Sequence, residues 1–201
     1  MLFNKDIILE NDFVLLRPLQ EDDFQHLEHF VIHEPEIWKY SLMQIAEPKD
    51  LKEYIRQAVE NRKLEKEYPF IVYDKNKKQY AGSTRFYDIQ LAYKYLQLGY
   101  TWYGKNFQGT YLNKNCKLLL LTFAFESLGM ERVEFRADNR NERSKKAMQS
   151  IGCIVEGISR NHLPTPEGGR RDSIILSIIK EEWLDSIKKN LLLKTGNNSI
   201  E

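Results

Sequence analysis

The amino-acid sequence predicts a mixed α/β fold in which helices flank a single sheet. Three observations predict it: β-rich runs with two-residue alternation, helical runs with three- and four-residue spacing, and the absence of an internal repeat or long linker. In order, the runs give a strand, helices, three or four strands, a helix, a strand, a helix and two strands, which is not the alternation of a doubly wound sheet. We expect one domain, residues 1–188, and a flexible tail, residues 189–201.

The first half of the chain predicts a strand, two helices and a hairpin. Residues 13–17 form a short strand that Pro18 stops, and the acids that follow it suit the first turn of a helix. A second helix, residues 48–63, repeats apolar side chains from Leu51 onwards at helical spacing. Two β-rich runs then flank the polar residues 74–78, as expected of a hairpin and its turn.

The second half predicts a strand, a long helix, a strand, a shorter helix and a closing strand pair. Residues 96–104 alternate as a strand does, and the helix of about 16 residues that follows is capped by Gly129. Residues 131–138 alternate again, and Asn141 occupies the N-cap position of the shorter helix. An antiparallel pair, joined by a loop rich in proline and glycine, then closes the sheet with residues 153–160 and 171–179.

Composition excludes several classes of protein. The formal net charge of +1 gives no overall field that would gather nucleic acid or an anionic membrane, and no run approaches the ~18 apolar residues of a membrane span. Cys116 and Cys153 are too few for a disulfide framework, and the four histidines lack the spacing of metal ligands. We therefore expect a cytoplasmic protein without a metal, a nucleic-acid partner or a membrane partner. The sequence leaves a homodimer open.

The polar loop "KNFQGTYLN", residues 105–113, separates a strand from the long helix. A helix start leaves backbone N–H groups without partners, and together with the helix dipole these form an anion site that suits a pyrophosphate. Gly109 lets the backbone approach the phosphates, and Thr110 adds a hydroxyl. The loop is neither a Walker loop nor a Rossmann fingerprint, so ATP and dinucleotides are poor candidates. A plain strand-to-helix turn is the alternative interpretation.

Three segments carry a resemblance to a known family: "LGYTWYGKNFQGTYLN", "AFESLGMERVEFRADNRNERSKKAMQSIGCIVEGISRNHL" and "GGRRDSIILSI". In their order and spacing they resemble the GNAT superfamily of N-acetyltransferases, in the branch that contains the ribosomal-protein N-terminal alanine acetyltransferases. The resemblance covers residues 10–183 and is most specific over 97–180. It implies a GNAT fold: a mostly antiparallel sheet of six or seven strands, with splayed central parallel strands and helices on both faces. It also implies two substrates, acetyl-CoA and an amine acceptor.

The resemblance implies that acetyl-CoA lies between two splayed strands, residues 96–103 and 131–137. The cofactor-binding residues that it implies are Leu98, Tyr100, Gln108, Gly109, Thr110, Tyr111, Leu112, Asn113, Asn141 and Ser144. Tyr111 stands where the family usually has glycine, and the N–H donors survive if Tyr111 takes an ordinary helical φ. For Asn141 the alternative role is that of a helix cap alone.

Two acid–base groups customary in the family are missing from this chain. Gln97 stands where the family often has glutamate, and Met148 stands where it has a tyrosine acid. Glu156 and His162 are the candidate substitutes, although both also fit solvated strand or loop positions. Ser144 is expected near the thioester sulfur and completes the set of candidate catalytic residues.

The predicted function is transfer of an acetyl group to a primary amine, on a protein N-terminus or a small molecule, by direct attack in a ternary complex. The N-terminal helices and residues 161–171 are expected to build the acceptor site. The aromatic side chains near it also fit simple core packing. The alternative function is a non-catalytic acyl-CoA-binding sensor or scaffold of the same fold.

Overall fold

The computed structural model of the chain describes residue 3 and residues 5–196. Its strands in chain order are β1 (Leu9–Glu10), β2 (Val14–Pro18), β3 (Glu67–Asp74), β4 (Gln79–Gln90), β5 (Tyr95–Tyr103), β6 (Arg132–Asp138), β7 (Ile154–Pro164) and β8 (Arg170–Ile179). They form one eight-stranded sheet in the order β1-β2-β3-β4-β5-β6-β8-β7. The pair β5 and β6 is parallel and the other neighbouring pairs are antiparallel.

Helices connect and cover this sheet. They are α1 (Phe24–His33), α2 (Pro48–Lys63), α3 (Tyr111–Thr122), α4 (Glu142–Ser150), α5 (Lys180–Glu182) and α6 (Lys188–Thr195). A π-helical turn, Phe123–Ser127, continues α3, and a second one, Trp183–Ile187, joins α5 to α6. Within the part of the chain described by the structure, no helix is both long and apolar enough to cross a membrane.

The predicted mixed sheet with a central parallel pair is confirmed, and its details differ in two places. The sheet has eight strands rather than six or seven, because the two-residue β1 adds an edge through the pair Leu9↔Leu16. The last hairpin is also longer than predicted. Its strand β7 continues through Pro164, so the connecting loop shrinks to residues 165–169.

The parallel strands β5 and β6 pair over only three residues each. Tyr95, Leu96 and Gln97 register with Arg132, Val133 and Glu134, and the ladder between the two strands ends there. Beyond that point β6 stays paired with β8, and β5 stays paired with β4. The two central strands therefore separate into a gap without losing their other neighbours.

A β-bulge marks the strand that leaves the ladder. Ser83 of β4 faces Trp102, whereas Arg85 faces Gly99, so β5 carries one extra residue between the two pairs. Tyr100 lies in this stretch with a φ of 49°, a left-handed conformation that is uncommon for a non-glycine residue. Because a bulge bends its strand and leaves a residue unpaired, it interrupts the strict alternation expected from the sequence.

Helix α3 is buried on nearly all sides. Leu118, Leu119, Leu120 and Leu121 follow one another along the helix and are all buried. Four consecutive residues point around the full circumference of a helix, so one sheet cannot cover them all. Contacts with α6 cover the face of α3 that the sheet leaves open.

The expectation of a flexible tail over residues 189–201 is therefore wrong for its described part. Residues up to Thr195 continue α6, and the Thr195 hydroxyl donates to the backbone carbonyl oxygen of Leu191, 2.9 Å away. Both of these side chains are buried. Residues 197–201 of the expected tail lie outside the described residues.

Replacing Leu191 tests whether α6 is part of the folded core. Leu191 is 1% exposed and Leu193, on the same helix, is 73% exposed. We expect Leu191→Ala to lower the free energy of unfolding by about 2–4 kcal/mol, because it removes buried methyl groups and leaves a cavity. The matched change Leu193→Ala should stay within about 0.5 kcal/mol of the wild type in urea denaturation. Equal effects of the two changes would show that α6 is not docked in solution.

Candidate functional site

A cavity of about 730 Å³ lies where β5 and β6 separate. Its size falls within the usual range of small-molecule and cofactor pockets. The walls come from β5, the start of α3, β6, α4 and the last hairpin. Among the candidate cofactor-binding and catalytic residues, those that line the cavity are Leu98, Tyr100, Gln108, Gly109, Thr110, Asn113, Asn141, Ser144 and His162.

The start of α3 offers backbone donors to this cavity. Thr110 is the N-cap, and its hydroxyl accepts from the N–H of Leu112 at 3.2 Å. Among the described residues, the N–H groups of Gly109, Tyr111 and Asn113 meet no acceptor. These free donors, together with the positive end of the helix dipole, suit an anion.

Gly109 keeps the approach to these donors open. Its φ is +71°, and a Cβ added at this position would meet no atom within 4 Å. Tyr111, in contrast, takes an ordinary helical conformation as the first residue of α3. The donors at the helix start therefore coexist with a tyrosine where the family usually has glycine.

Two of the expected cofactor-binding side chains turn away from the cavity. The hydroxyl of Tyr111 donates to Asp74 Oδ1 at 2.7 Å, towards β3. The side chain of Leu112 is buried in the core, and its N–H is already occupied by Thr110. Of these two residues, only the backbone N–H of Tyr111 is free to face a ligand.

Cations surround the start of α3. The Gln108 side chain bridges the loop to α4, because its Nε2 donates to the Tyr103 carbonyl oxygen at 2.7 Å and its Oε1 accepts from Arg143. Lys114 and Lys146 line the same cavity. The positive potential of this region favours a ligand with several negative charges.

Asn141 performs the capping role that the sequence predicts. Its Oδ1 accepts from the N–H of Ser144 at 3.0 Å. The cavity lining includes both side chains, so the cap and a ligand-facing position coincide here. Met148, one turn further along α4, adds an apolar side chain to the same wall.

The structure does not bring Glu156 to the cavity. Arg132 of β6, two strands away, donates through both terminal nitrogens to the Glu156 carboxylate, and Ser177 Oγ of β8 donates to it at 2.7 Å. The Arg132 guanidinium lowers the pKa of Glu156, so this carboxylate stays ionised. The prediction that Glu156 lies near the reacting atoms is wrong, because no local sequence pattern reveals an ion-pair partner two strands away.

His162, in contrast, lines the cavity from an extended position in β7. Its Nδ1 lies 3.0 Å from Ser173 Oγ. Partial burial lowers the pKa of His162, and the nearby Arg136, Arg171 and Arg170 lower it further. At neutral pH the imidazole is therefore uncharged and able to accept a proton.

Asp88 is a cavity residue that the sequence analysis missed. Gln97 Nε2 donates to its Oδ2 at 2.8 Å, and Gln90 Nε2 donates to its Oδ1 at 3.0 Å. Within the described chain, Gln97 Oε1 is buried and has no partner. A carboxylate from β4 thus lies beside the residue that replaces the customary glutamate. No local pattern signals this pairing, because it depends on the register of two strands.

Lys117 is the second missed residue. It lies in the middle of α3 and is only 4% exposed, and it lines the cavity. Its Nζ donates to Thr101 Oγ1 at 2.9 Å, and among the described residues it has no carboxylate partner. Burial lowers the pKa of this ammonium to about 8. The available signal was a single lysine inside the otherwise apolar run that follows Cys116.

Aromatic side chains around the cavity divide into two groups. Trp38, Trp102 and Tyr103 are buried, with the two tryptophan rings 4.5 Å apart, and they also line the cavity. Tyr87 and Tyr100 meet edge to face at 5.0 Å beside the bulge. Both tyrosines line the cavity.

Comparisons with known proteins agree with this geometry. A family model described as an acetyltransferase (GNAT) domain matches residues 14–154. YdaF of Bacillus subtilis, provisionally named as a ribosomal N-acetyltransferase, is 30% identical over 103 residues, which are 51% of this chain and 55% of that protein. The match thus spans about half the length of that relative.

Solved structures share the fold. A GCN5-related N-acetyltransferase from Brucella melitensis is 23% identical, with a TM-score of 0.86 over 94% of this chain and 85% of that one. RimJ of Mycobacterium smegmatis, solved in complex with CoA-disulfide, is 16% identical, with a TM-score of 0.79 over 96% of this chain and 94% of that one.

The pH dependence of stability tests the burial of Lys117. Its pKa is about 8 in the folded chain, against 10.5 for an ordinary lysine. Between these two pH values the unfolded chain binds more protons, so stability rises with pH. Relative to Lys117→Met, the wild type should gain ~1.4 kcal/mol for each pH unit in this window. Denaturation of both proteins from about pH 7 to 10 measures the difference. A constant difference would contradict a buried ammonium.

Proposed function

This chain belongs to the GNAT acetyltransferase family, and from that membership we propose that it transfers an acetyl group from acetyl-CoA to a primary amine. The amine attacks the thioester directly in a ternary complex. One observation carries the proposal: the gap between β5 and β6 opens beside the unpartnered N–H groups of α3. An elongated molecule with a diphosphate at one end and a thioester at the other matches this combination of an anion site and a central cleft.

The start of α3 is the proposed pyrophosphate site. The N–H groups of Gly109, Tyr111 and Asn113 donate to the phosphates, and the Thr110 hydroxyl lies beside them. The open space at Gly109 and the cations of the surrounding region support this assignment. Acetyl-CoA supplies the activated acetyl group when it is bound there.

The unpaired edge of β5 is the proposed site of the pantetheine arm and of the thioester carbonyl. From Leu98 to Tyr100 this strand pairs with no described residue on the β6 side, so backbone groups are available to a ligand in the gap. A backbone N–H here stabilises the oxyanion that develops on the carbonyl oxygen. Asn141 and Ser144 contact the arm from α4 on the opposite side.

Two groups are proposed to accept the proton of the amine, Asp88 and His162. A protonated amine has no lone pair for attack, so a base must take its proton directly or through water. The Asp88 carboxylate, held by Gln97, supplies the negative charge that the family often places on the neighbouring strand. The lowered pKa of His162 makes its imidazole the alternative acceptor.

The proposed source of the proton for the leaving thiolate is Lys117. Its ammonium lies in the cavity, has no carboxylate partner among the described residues, and has a pKa of about 8, which suits proton transfer near neutrality. The base takes one proton from the acceptor's ammonium before attack. As the carbon–sulfur bond breaks, a proton passes from Nζ to sulfur, and the second proton of the attacking nitrogen returns to the neutral Nζ, so Lys117 ends as an ammonium and the base keeps the released proton. Ser144 contributes a hydrogen bond to the sulfur.

Neither cysteine is proposed to carry the acetyl group. Cys116 and Cys153 are buried and free, and burial raises the pKa of each thiol to about 12. A neutral buried thiol is a poor nucleophile, because the thiolate is the reactive form. Direct transfer to the amine is therefore favoured over an acyl-enzyme. Buried, reduced thiols also suit the cytoplasm, where we propose that the protein acts.

A sensor or scaffold that binds acyl-CoA without turnover is the second candidate function, because Gln97 and Met148 depart from the family pattern. Release of free thiol from acetyl-CoA, in the presence of amines and peptides, separates the two functions. An enzyme releases thiol in proportion to the acceptor, whereas a sensor binds CoA and releases none above background. The name of YdaF, a ribosomal N-acetyltransferase, makes ribosomal proteins one acceptor class to include.

Gly109→Glu tests the proposed pyrophosphate site. The new carboxylate would stand beside the phosphates and repel them. The matched control is Gly109→Gln, which has the same shape and the same backbone strain without the charge. We expect the Kd of CoA to be about tenfold or more higher for Gly109→Glu than for this control. Isothermal titration measures both constants, and added salt should narrow the difference. Equal affinity in two folded variants would remove this loop from the cofactor site.

The pH profile of kcat/KM tests the proposed bases. We expect loss of the operating base, through His162→Ala or through Asp88→Asn, to lower turnover by about 10²-fold or more. Where His162 is that base, His162→Ala should also abolish the acidic limb of the profile. The Kd of CoA should stay within about twofold, since neither side chain contacts the start of α3. A wild-type rate from about pH 6 to 9 would exclude the residue from proton transfer.

A further inference from the structure

The described part of the chain contains three buried cations, Arg85, Lys117 and Arg171. Arg85 forms an ion pair with Glu67 at 2.6 Å. The other two have no carboxylate partner among the described residues, and both line the same cavity. A buried cation without a counter-ion is costly, so two of them in one cavity call for anionic ligands.

Arg171 is 8% exposed and forms a single hydrogen bond within the described structure. Its Nε donates to Ser173 Oγ at 3.0 Å, and the same hydroxyl lies 3.0 Å from His162 Nδ1. The terminal nitrogens of the guanidinium have no partner among the described residues. The two ends of this short network, Arg171 and His162, both face the cavity.

The nearest acidic group does not neutralise Arg171. Asp138 attracts it, but the Asp138 carboxylate accepts from the guanidinium of Arg140, at 3.0 Å from Nε and 2.8 Å from Nη2. Burial outweighs this attraction and lowers the pKa of Arg171. The planar fork of a guanidinium matches the two oxygens of a carboxylate, and its free nitrogens are the ones that would form such a pair.

Arg171 interacts electrostatically with tyrosines of β4 and β5. It comes from β8, and its electrostatic neighbours are the hydroxyls of Tyr87 and Tyr100 beside the bulge of β5. The proposed pyrophosphate site, in contrast, is at the start of α3 and has its own donors. The guanidinium is therefore available to the second substrate.

We propose that Arg171 binds a carboxylate of the acceptor, so that the preferred acceptor presents a carboxylate close to the amine that is acetylated. This inference rests on the proposed acetyl transfer. Neutral amines leave the buried guanidinium unpaired, and polyamines are repelled by Arg171 and Lys117. A free amino acid and a peptide that begins with an acidic residue both present a carboxylate close to a primary amine, and the experiment distinguishes them.

The experiment compares matched acceptors in a thiol-release assay with acetyl-CoA. In one arm, each amino acid is compared with its own carboxamide, and the amino acids differ in the spacing between amine and carboxylate. A second arm pairs peptides that begin with aspartate or glutamate with peptides that begin with asparagine or glutamine. We expect kcat/KM to be about tenfold or more higher for the carboxylates in one arm. The arm with the preference identifies the source of the carboxylate.

Arg171→Gln and Arg171→Lys assign the preference to this residue. Arg171→Gln should raise KM for carboxylate acceptors and bring the two members of each pair to similar kcat/KM. Arg171→Lys should retain part of the preference, because it keeps the positive charge but lacks the planar guanidinium. Both variants should bind CoA within about twofold of the wild type. Far-UV circular dichroism controls for folding. A merely structural role would lower the rates of both members of a pair equally.

The wild-type panel alone can overturn the inference, even where a variant does not fold. Equal kcat/KM for acids and amides in both arms, with thiol release above background, would remove the carboxylate preference and leave acetyl transfer intact. A preference that persists in folded Arg171→Gln would remove the assignment to Arg171. Binding of CoA without thiol release from any acceptor would contradict the proposed function and this inference together.

Discussion

The separation of β5 from β6 is the constraint on which the rest of the structure depends. Three registered pairs hold these strands together, and the sheet then opens at its centre. Open strand edges expose backbone groups that need partners, so a central gap is tolerated only when each strand keeps its other neighbour. Here β4 and β8 serve as those neighbours, and the bulge at Tyr100 accompanies the departure of β5.

Helix α3 links stability to the proposed chemistry. Its first turn supplies unpartnered N–H groups, its middle carries Lys117 into the cavity, and its leucines bury it between the sheet and α6. Because packing fixes the helix on all sides, the N–H donors at its start are already in place, and a ligand can bind without the entropy cost of ordering them. Lys117 and Arg171 have no carboxylate partner among residues 5–196 and destabilise the ligand-free chain. Anionic ligands that pair with them would stabilise the folded state.

Local patterns predicted much of this architecture. The bounds of α2 match the prediction, 48–63, because apolar spacing and a proline at the first turn are both local signals. The cap at Asn141 and the open backbone at Gly109 were predictable for the same reason, because each depends on the residue type at one position of a local pattern. The features that escaped prediction depend on contacts between distant segments. Asp88 meets Gln97 through strand register, and Glu156 is held by Arg132 across the sheet. The C-terminal helix forms because α3 has an uncovered face.

The most direct test of the central claim is amide NMR of the labelled protein during titration with CoA. If the start of α3 grips the diphosphate, the N–H signals of Gly109, Tyr111 and Asn113 should shift strongly downfield, as expected of new hydrogen bonds to phosphate oxygens. Residues of β5 from Leu98 to Tyr100, along the gap, should shift in the same titration. Saturation with CoA that leaves these three amides unmoved, while other surfaces respond, would contradict the account.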